Sequence, residues 1–214
     1  MNLVFLGPPG SGKGTQAVRL AEKLSLVHLS TGDVLRDAVK RGTELGKKAE
    51  GFMSRGELVP DAVLIDLIEN LLTTGKLNGG FILDGFPRTV PQATGLKQML
   101  DNNAIRLDKA VLFDVGDQEI IKRLSGRWFC PKCNAGYNYP AKLPRVEGRC
   151  DNDDAELQRR PDDEEAVVKN RLEVYRKQTR PIEEFYRGES ILTSIEGQRS
   201  PDEVFQSLLD EVGG

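Results

Sequence analysis

Short apolar runs, each cut off by glycine, proline or charge, dominate the pattern along the chain. Residues 2–6 (NLVFL) form such a run and end at Gly7-Pro8-Pro9-Gly10, which predicts a buried strand feeding a glycine-rich turn. The period then lengthens: Ala17, Leu20, Ala21 and Leu24 fall on one face of a helix over 15–24. Four more strand candidates follow at 27–29, 81–84, 110–115 and 191–195. Asp61, after Pro60, is placed to cap a helix that carries Val63, Leu64, Leu67, Ile68, Leu71 and Leu72 on one face. Shorter helical patterns lie at 119–124 and 201–212. Strands alternating with helices predict an α/β fold: a parallel five-stranded sheet, right-handed crossovers, and helices on both faces.

Two stretches break the alternation. Residues 30–59 carry many charges and Gly32, Gly42, Gly46 and Gly51 with weak helical periodicity, as a small helical insertion would. Residues 126–163 turn rich in Tyr, Pro, Gly, Asn and Asp and lose helical spacing, as expected of short strands and turns. The expected division is a core of 1–29, 60–125 and 164–214 interrupted by insertions at 30–59 and 126–163.

Composition narrows the function. With 214 residues, 38% hydrophobic and 29% charged, the chain is of ordinary globular type. A net charge of −3 argues against a general nucleic-acid binder. No apolar run of about 18 residues predicts a membrane span, and the start of the chain lacks a secretory pattern. The three cysteines, Cys130, Cys133 and Cys150, are odd in number and clustered, which fits a reducing cytoplasm and a metal site better than a disulfide framework. No heptad is visible, so a monomer is expected.

The chemistry starts at Gly7-Pro8-Pro9-Gly10-Ser11-Gly12-Lys13-Gly14-Thr15, between a strand and a helix. Backbone N–H groups of such a loop turn inward around a polyphosphate, the helix N-terminus adds its dipole, and Lys13 adds a point charge. The core is therefore of the P-loop kind. Gly14 stands where many P-loop proteins carry the Ser or Thr that holds Mg²⁺, so phosphate oxygens, water and Asp84 are left to order the metal.

In the second insertion, Cys130-Pro-Lys-Cys133 and Cys150-Asp-Asn-Asp153 are two knuckles of equal spacing, suited to a tetrahedral Zn²⁺. Asp151 and Asp154 compete with Asp153, but the repeated spacing favours Asp153. A closed set of four ligands reads as structural, coupled to the folding of a small subdomain.

GPPGSGKGTQA, then LSTGDVLRDAV, then FILDGFPRTVPQA together resemble the adenylate kinase family, specifically its long-lid bacterial type, over essentially the whole chain. The resemblance implies transfer of the γ-phosphoryl group of MgATP to AMP, giving two ADP. It implies that Gly10, Ser11, Gly12, Lys13, Gly14 and Thr15 cradle ATP, and that Arg123 and Arg127 embrace its phosphates. Gly136 and Tyr137 would pack over ATP, and the backbone at Arg199 would contact its adenine. Gly136 departs from the larger residue common there. On the AMP side it implies Thr31 facing the base, Arg36 and Arg88 on the phosphate, and backbone contacts at Glu57, Leu58, Val59, Gly85, Phe86 and Pro87. Arg160 and Arg171 would reach the same phosphates. Gln92 offers a donor and an acceptor together, suited to the adenine edge. The implied catalytic set is Lys13, Arg36, Asp84, Arg88, Arg123, Arg160 and Arg171 with Mg²⁺. The lone histidine, His28, reads as core. Competing readings are a kinase for another nucleoside monophosphate, a nucleotide-binding switch, and a zinc-ribbon nucleic-acid binder.

Overall fold

The computed structural model describes residues 1–139 and 141–213 of the chain. Strands β1 (Asn2–Leu6), β2 (Val27–Ser30), β3 (Phe81–Asp84) and β4 (Lys109–Asp114) join β7 (Leu192–Glu196) in one sheet of order β2-β3-β1-β4-β7, every pairing parallel. The remaining pair, β5 (Arg127–Phe129) and β6 (Gly136–Asn138), is an antiparallel hairpin in the second insertion.

Period-two alternation explains how both sheet faces are buried. Along β1, Leu3 and Phe5 join Phe113, Ile82 and Leu20 under helices α1 (Lys13–Leu24) and α9 (Pro201–Gly213). Val4 and Leu6 point the other way, into a larger core with Leu83, Leu112 and Phe86. That core is covered by α4 (Asp61–Thr73), α5 (Val90–Asn102) and α8 (Pro181–Gly188). The continuous apolar runs read in the sequence are thus what a doubly covered parallel sheet requires.

The insertion at 30–59 folds as two helices packed on each other, α2 (Thr31–Lys40) and α3 (Glu44–Ser54). The late core holds α6 (Asp117–Ser125), then α7 (Glu165–Val174) running through a π-helical stretch, Tyr175–Thr179, into α8. Neither α5 nor the 165–188 helices is read from the sequence: α7 buries only Val168 and Leu172, and the buried face of α5, Gln92, Ala93, Leu96, Met99 and Leu100, opens on a polar residue and is interrupted by Gly95. Asp61 corrects another expectation. It begins α4 without capping it, and its carboxylate instead accepts hydrogen bonds from Thr89 and Gln92 of the facing segment. No helix among the described residues is long and apolar enough to cross a membrane.

The register decides where chemistry gathers. Asp84 lies level with Phe5 on one side and Ser30 on the other, so the turn after β1, the start of α2 and the loop after β3 leave the sheet together. These are the carboxyl ends of parallel strands, where α/β sheets bind ligands.

Candidate active site

The loop after β1 is held in shape by its own residues. Gly10 has φ +83°, and a Cβ there would come within 2.8 Å of Leu124, so glycine is required on both counts. Lys13 folds back over the loop: its Nζ donates to the carbonyls of Gly7 (2.7 Å) and Pro8 (2.8 Å) and to Ser11 Oγ (3.2 Å). Burial pushes the ammonium down from its usual range to about 8; Asp84 opposes the shift, and Arg88, Arg171 and Arg127 add to it. A cation kept at this cost has one evident use, which is to meet an anion. Gly14 is now explained as well. A Cβ there would lie 3.2 Å from Asp84 Oδ2, so the acid occupies the space a Ser or Thr would need.

Around Lys13 the structure gathers most of the arginines picked out in the sequence. Arg88, in the loop after β3, donates from Nε to Gly85 O (2.8 Å) and is lowered to about 10 by burial and then by Arg171. Gly85 has φ +81°, and a Cβ would sit 2.9 Å from both Arg88 and Thr31 Oγ1, so this loop also demands glycine. Arg160, at the exit of the second insertion, is lowered to about 10 by burial and by Arg36, and its Nε is buried without a partner. Arg171 of α7 is lowered by burial too. Lys13, Arg36, Arg88, Arg127, Arg160 and Arg171 act on one another electrostatically, as they can only if they share one cleft.

Acids that the sequence did not single out hold this cluster open. Asp163, almost fully buried, takes Arg127 in a two-point ion pair and lies 3.2 Å from Arg171. Asp162 pairs with Arg171 at 2.9 Å, and although burial pushes its carboxyl up, four arginines bring it below the ordinary range. Asp33 pairs with Arg36 at 2.6 Å and lies 3.8 Å from Arg160. Their signal in the sequence was proximity to the motifs, Asp33 within LSTGD and Asp162-Asp163 just after Arg160. Their pairings are long-range and invisible there.

The other residues expected at the site fall as follows. Ser11 is buried and Thr15 exposed on the first turn of α1. Arg123 lies over the loop, held by Glu119 at 2.8 Å and reaching Ser11 O at 3.4 Å. Gly12, the residue before α1, faces its guanidinium. The α2 cap is Ser30, whose Oγ accepts from the Asp33 N–H. Thr31, beside it, is buried and donates to Gly85 O at 2.8 Å. Val59 and Phe86 are buried and Leu58 half-buried; Pro87 follows Phe86 through a cis peptide. The Glu57 side chain turns out to solvent to pair with Arg55. Gln92 is completely buried, with its amide between Arg88 N–H and Asp61. Arg199 is exposed and pairs with Glu196, but its neighbour Gly197 packs against Val115 and the Ser11 carbonyl, so that backbone borders the loop. His28 is half-buried in β2, and its Nε2, buried without a hydrogen-bond partner, lies 3.6 Å from Asp84 Oδ2.

In the second insertion Cys130, Cys133, Cys150 and Asp153 offer four ligand atoms within 4.8 Å of one another. Cys130 Sγ lies 3.3 Å from Asp153 Oδ1, and Cys133 Sγ lies 3.5 Å from Cys150 Sγ. Bonds of about 2.3 Å to a tetrahedral Zn²⁺ put sulfurs ~3.8 Å apart, so the set fits the ion. The backbone N–H groups of Lys132 and Cys133 point at Cys130 Sγ, as a metal knuckle needs. Tyr137 is buried beneath, with its hydroxyl toward Cys150 and accepting from the Asp151 N–H, while Gly136 faces open space. Asp151 itself is spent on the Arg145 N–H, and of the three neighbouring acids it is Asp153 whose carboxylate lies among the thiols, placed to be a fourth ligand.

Residues 5–191 match the family model for adenylate kinase. Among similar proteins named adenylate kinase, that of Methanocella arvoryzae is 49% identical over 95% of this chain and 94% of its own. That of Thermodesulfovibrio yellowstonii is 49% identical over 97% of each chain. That of Clostridium novyi is 44% identical over all of this chain and 99% of its own. The cation-lined cleft beyond the sheet, the P-loop and these matches agree, and the chain belongs to the adenylate kinase family.

Proposed function

We propose that the cleft joins two nucleotides tail to tail, with ATP on the P-loop side and AMP against α2, Gly85 and α5, and that Lys13, Arg36, Arg88, Arg123, Arg160 and Arg171 gather their phosphates. The reaction is that of the family, a nucleoside monophosphate kinase: MgATP and AMP exchange a phosphoryl group to give two ADP. One observation carries the assignment of residues. Lys13, Arg36, Arg88, Arg127, Arg160 and Arg171 face one another across a cleft, with Arg123 at its edge over the loop, and four carboxylates, Asp33, Asp84, Asp162 and Asp163, only partly offset them. Such an excess, bought with desolvation, suits a polyphosphate that arrives with its own charge.

Phosphoryl transfer through a loose transition state needs alignment and charge stabilisation more than a base, and the AMP phosphate is already an anionic nucleophile. Lys13 leaves the Gly7 and Pro8 carbonyls to bridge the β- and γ-phosphates. Arg88 and Arg36 hold the AMP phosphate, while Arg123 and Arg127 hold the ATP chain. Arg160, at the exit of the second insertion, and Arg171, on α7 of the core, neutralise charge on the group in flight. Mg²⁺, when bound with ATP, draws negative charge from the phosphate oxygens. Asp84, at the end of β3 against Gly14, is placed to orient its waters. Zn²⁺ in the Cys₃Asp set supports the lid's fold and takes no part in the chemistry.

The core of 1–29, 60–125 and 164–214 acts as the platform, with 30–59 closing on AMP and 126–163 on ATP. Lys40 of α2 already donates to Pro131 O in the metal knuckle at 3.1 Å, which supports contact between the two insertions on closure. A monomer in the cytoplasm, with no nucleic-acid partner, suits the net charge and the free thiols. The test is ADP formation from ATP with a panel of nucleoside monophosphates. Two ADP per ATP with AMP, and little with UMP or CMP, is expected; equal rates with a pyrimidine acceptor would overturn the AMP assignment.

A further inference from the structure

An amide side chain can present either face to a base, and here that choice is made by neighbours. Gln92 is fully buried on the first turn of α5. Its Oε1 accepts from the Arg88 backbone N–H at 2.7 Å, and its Nε2 donates to Asp61 Oδ1 at 2.8 Å. A backbone N–H can only donate and a carboxylate can only accept, so the two partners fix the same orientation. Asp61 is itself anchored, because Oδ2 accepts from Thr89 Oγ1 at 3.0 Å, and Thr89 Oγ1 in turn accepts from the Gln92 N–H. After these bonds the amide retains one N–H and one oxygen lone pair.

We propose that Asp61 is the positioning residue for base selectivity: through Gln92 it sets the polarity of the hydrogen-bond pair offered to the acceptor base, and so favours a 6-amino purine over a 6-oxo purine. This rests on the reading that Gln92 meets the base. The 6-amino purine presents an acceptor at N1 and a donor at N6, which match the remaining N–H and lone pair. The 6-oxo purine presents the reverse, N1–H and O6. Matching it requires turning the amide over, which sets Oε1 against the Asp61 carboxylate and the NH₂ against the Arg88 N–H. Both clashes fall on the fully buried Gln92 amide and leave its polar atoms unpaired, which is costly. Asp61 is remote in sequence from the motif that carries Gln92, and its side chain bonds Gln92 and Thr89 rather than a phosphate-binding cation; any strain passed on through the Arg88 backbone acts on AMP and IMP alike and leaves their ratio unchanged.

The test compares kcat/KM for AMP and for inosine monophosphate in the wild type, Asp61→Ala, Asp61→Asn and Gln92→Ala. Asp61→Ala lowers the AMP-to-IMP ratio by about tenfold, the range of one hydrogen bond to a charged group, with most of the change in KM. Asp61→Asn keeps an oxygen acceptor for Nε2 and can donate to Thr89 Oγ1, so it restores most of the ratio. A purely structural role for Asp61 lowers thermal stability in both variants and leaves the ratio in place; that result overturns the proposal. Gln92→Ala separates the two ideas. If it leaves the ratio unchanged, the reading of Gln92 at the base is wrong. If it lowers the ratio while Asp61→Ala does not, only the positioning role is lost. Should Asp61→Ala fail to fold, Thr89→Val, which frees Asp61 at one oxygen, is expected to lower the ratio in part.

Discussion

Lys13 and its arginine neighbours make the cleft's electrostatics testable one side chain at a time. Lys13 sits near 8 in the folded protein against 10.5 in the open chain, and a bound polyphosphate draws it back up. Nucleotide binding therefore takes up protons between about pH 8 and pH 10.5, and affinity falls as the pH rises through 8. Calorimetry in buffers of different ionisation enthalpy measures the uptake, and Lys13→Met abolishes it. The sign for stability is opposite: over the same window the unfolded chain holds the proton that the empty fold has given up, so Lys13 makes the empty protein more stable as the pH rises. Arg88→Ala removes a buried cation from the transferred group and is expected to reduce kcat by about 10² to 10⁴; near-normal ADP formation would remove it from the set. Asp33 stands between Arg36 and Arg160, where the AMP phosphate is expected. Asp33→Asn removes that competing charge, and AMP should bind about two- to fivefold tighter while adenosine, which lacks the phosphate, is unchanged.

The lid and the first insertion are elements whose stability comes from elsewhere. The lid's buried residues are few, chiefly Cys130, Tyr137, Cys150, Ala155 and Leu157, too few for a core of their own. Zn²⁺ bound by the Cys₃Asp set would therefore be part of its folding free energy. Trp128, the chain's single tryptophan, packs against this cluster, so its fluorescence reports the lid. Chelation should shift that emission and raise the KM for ATP while the parallel sheet persists by circular dichroism. Asp153→Cys, with a fourth thiolate, should hold Zn²⁺ more tightly against a chromogenic chelator.

Across the whole molecule, what the sequence disclosed and what it hid have separate physical causes. The five strands were readable because a sheet covered on both faces needs unbroken apolar runs, as in residues 2–6 and 81–84. The phosphate loop was readable because its glycines are local necessities. The helices at 90–102 and 165–188 were not: the first buries a polar Gln92 and carries Gly95 within its apolar face, while in the second the buried positions are sparse and one stretch winds as a π-helix. The arginines were found by motif, but their holders were not. Asp33–Arg160, Asp163–Arg127 and Asp61–Gln92 are made by chain crossings, and His28 came to face Asp84 only because β2 lies beside β3. Asp61 shows the limit well: a residue placed to cap a helix spends its carboxylate on another. The sheet also sets global stability. Phe113 is fully buried against Phe5, with ring centroids 5.0 Å apart, and Phe113→Ala should cost about 3–5 kcal/mol in denaturant unfolding.

The meeting of two nucleotides within a single ring of cations is tested most directly by a bisubstrate mimic, two adenosines joined through five phosphates, titrated calorimetrically against the wild type and Arg88→Ala. One mimic per chain, bound at least a hundredfold more tightly by the wild type than by the variant, is the expected result. Two mimics per chain, or equal affinity for both proteins, would place the phosphates away from Lys13 and Arg88 and contradict the shared site.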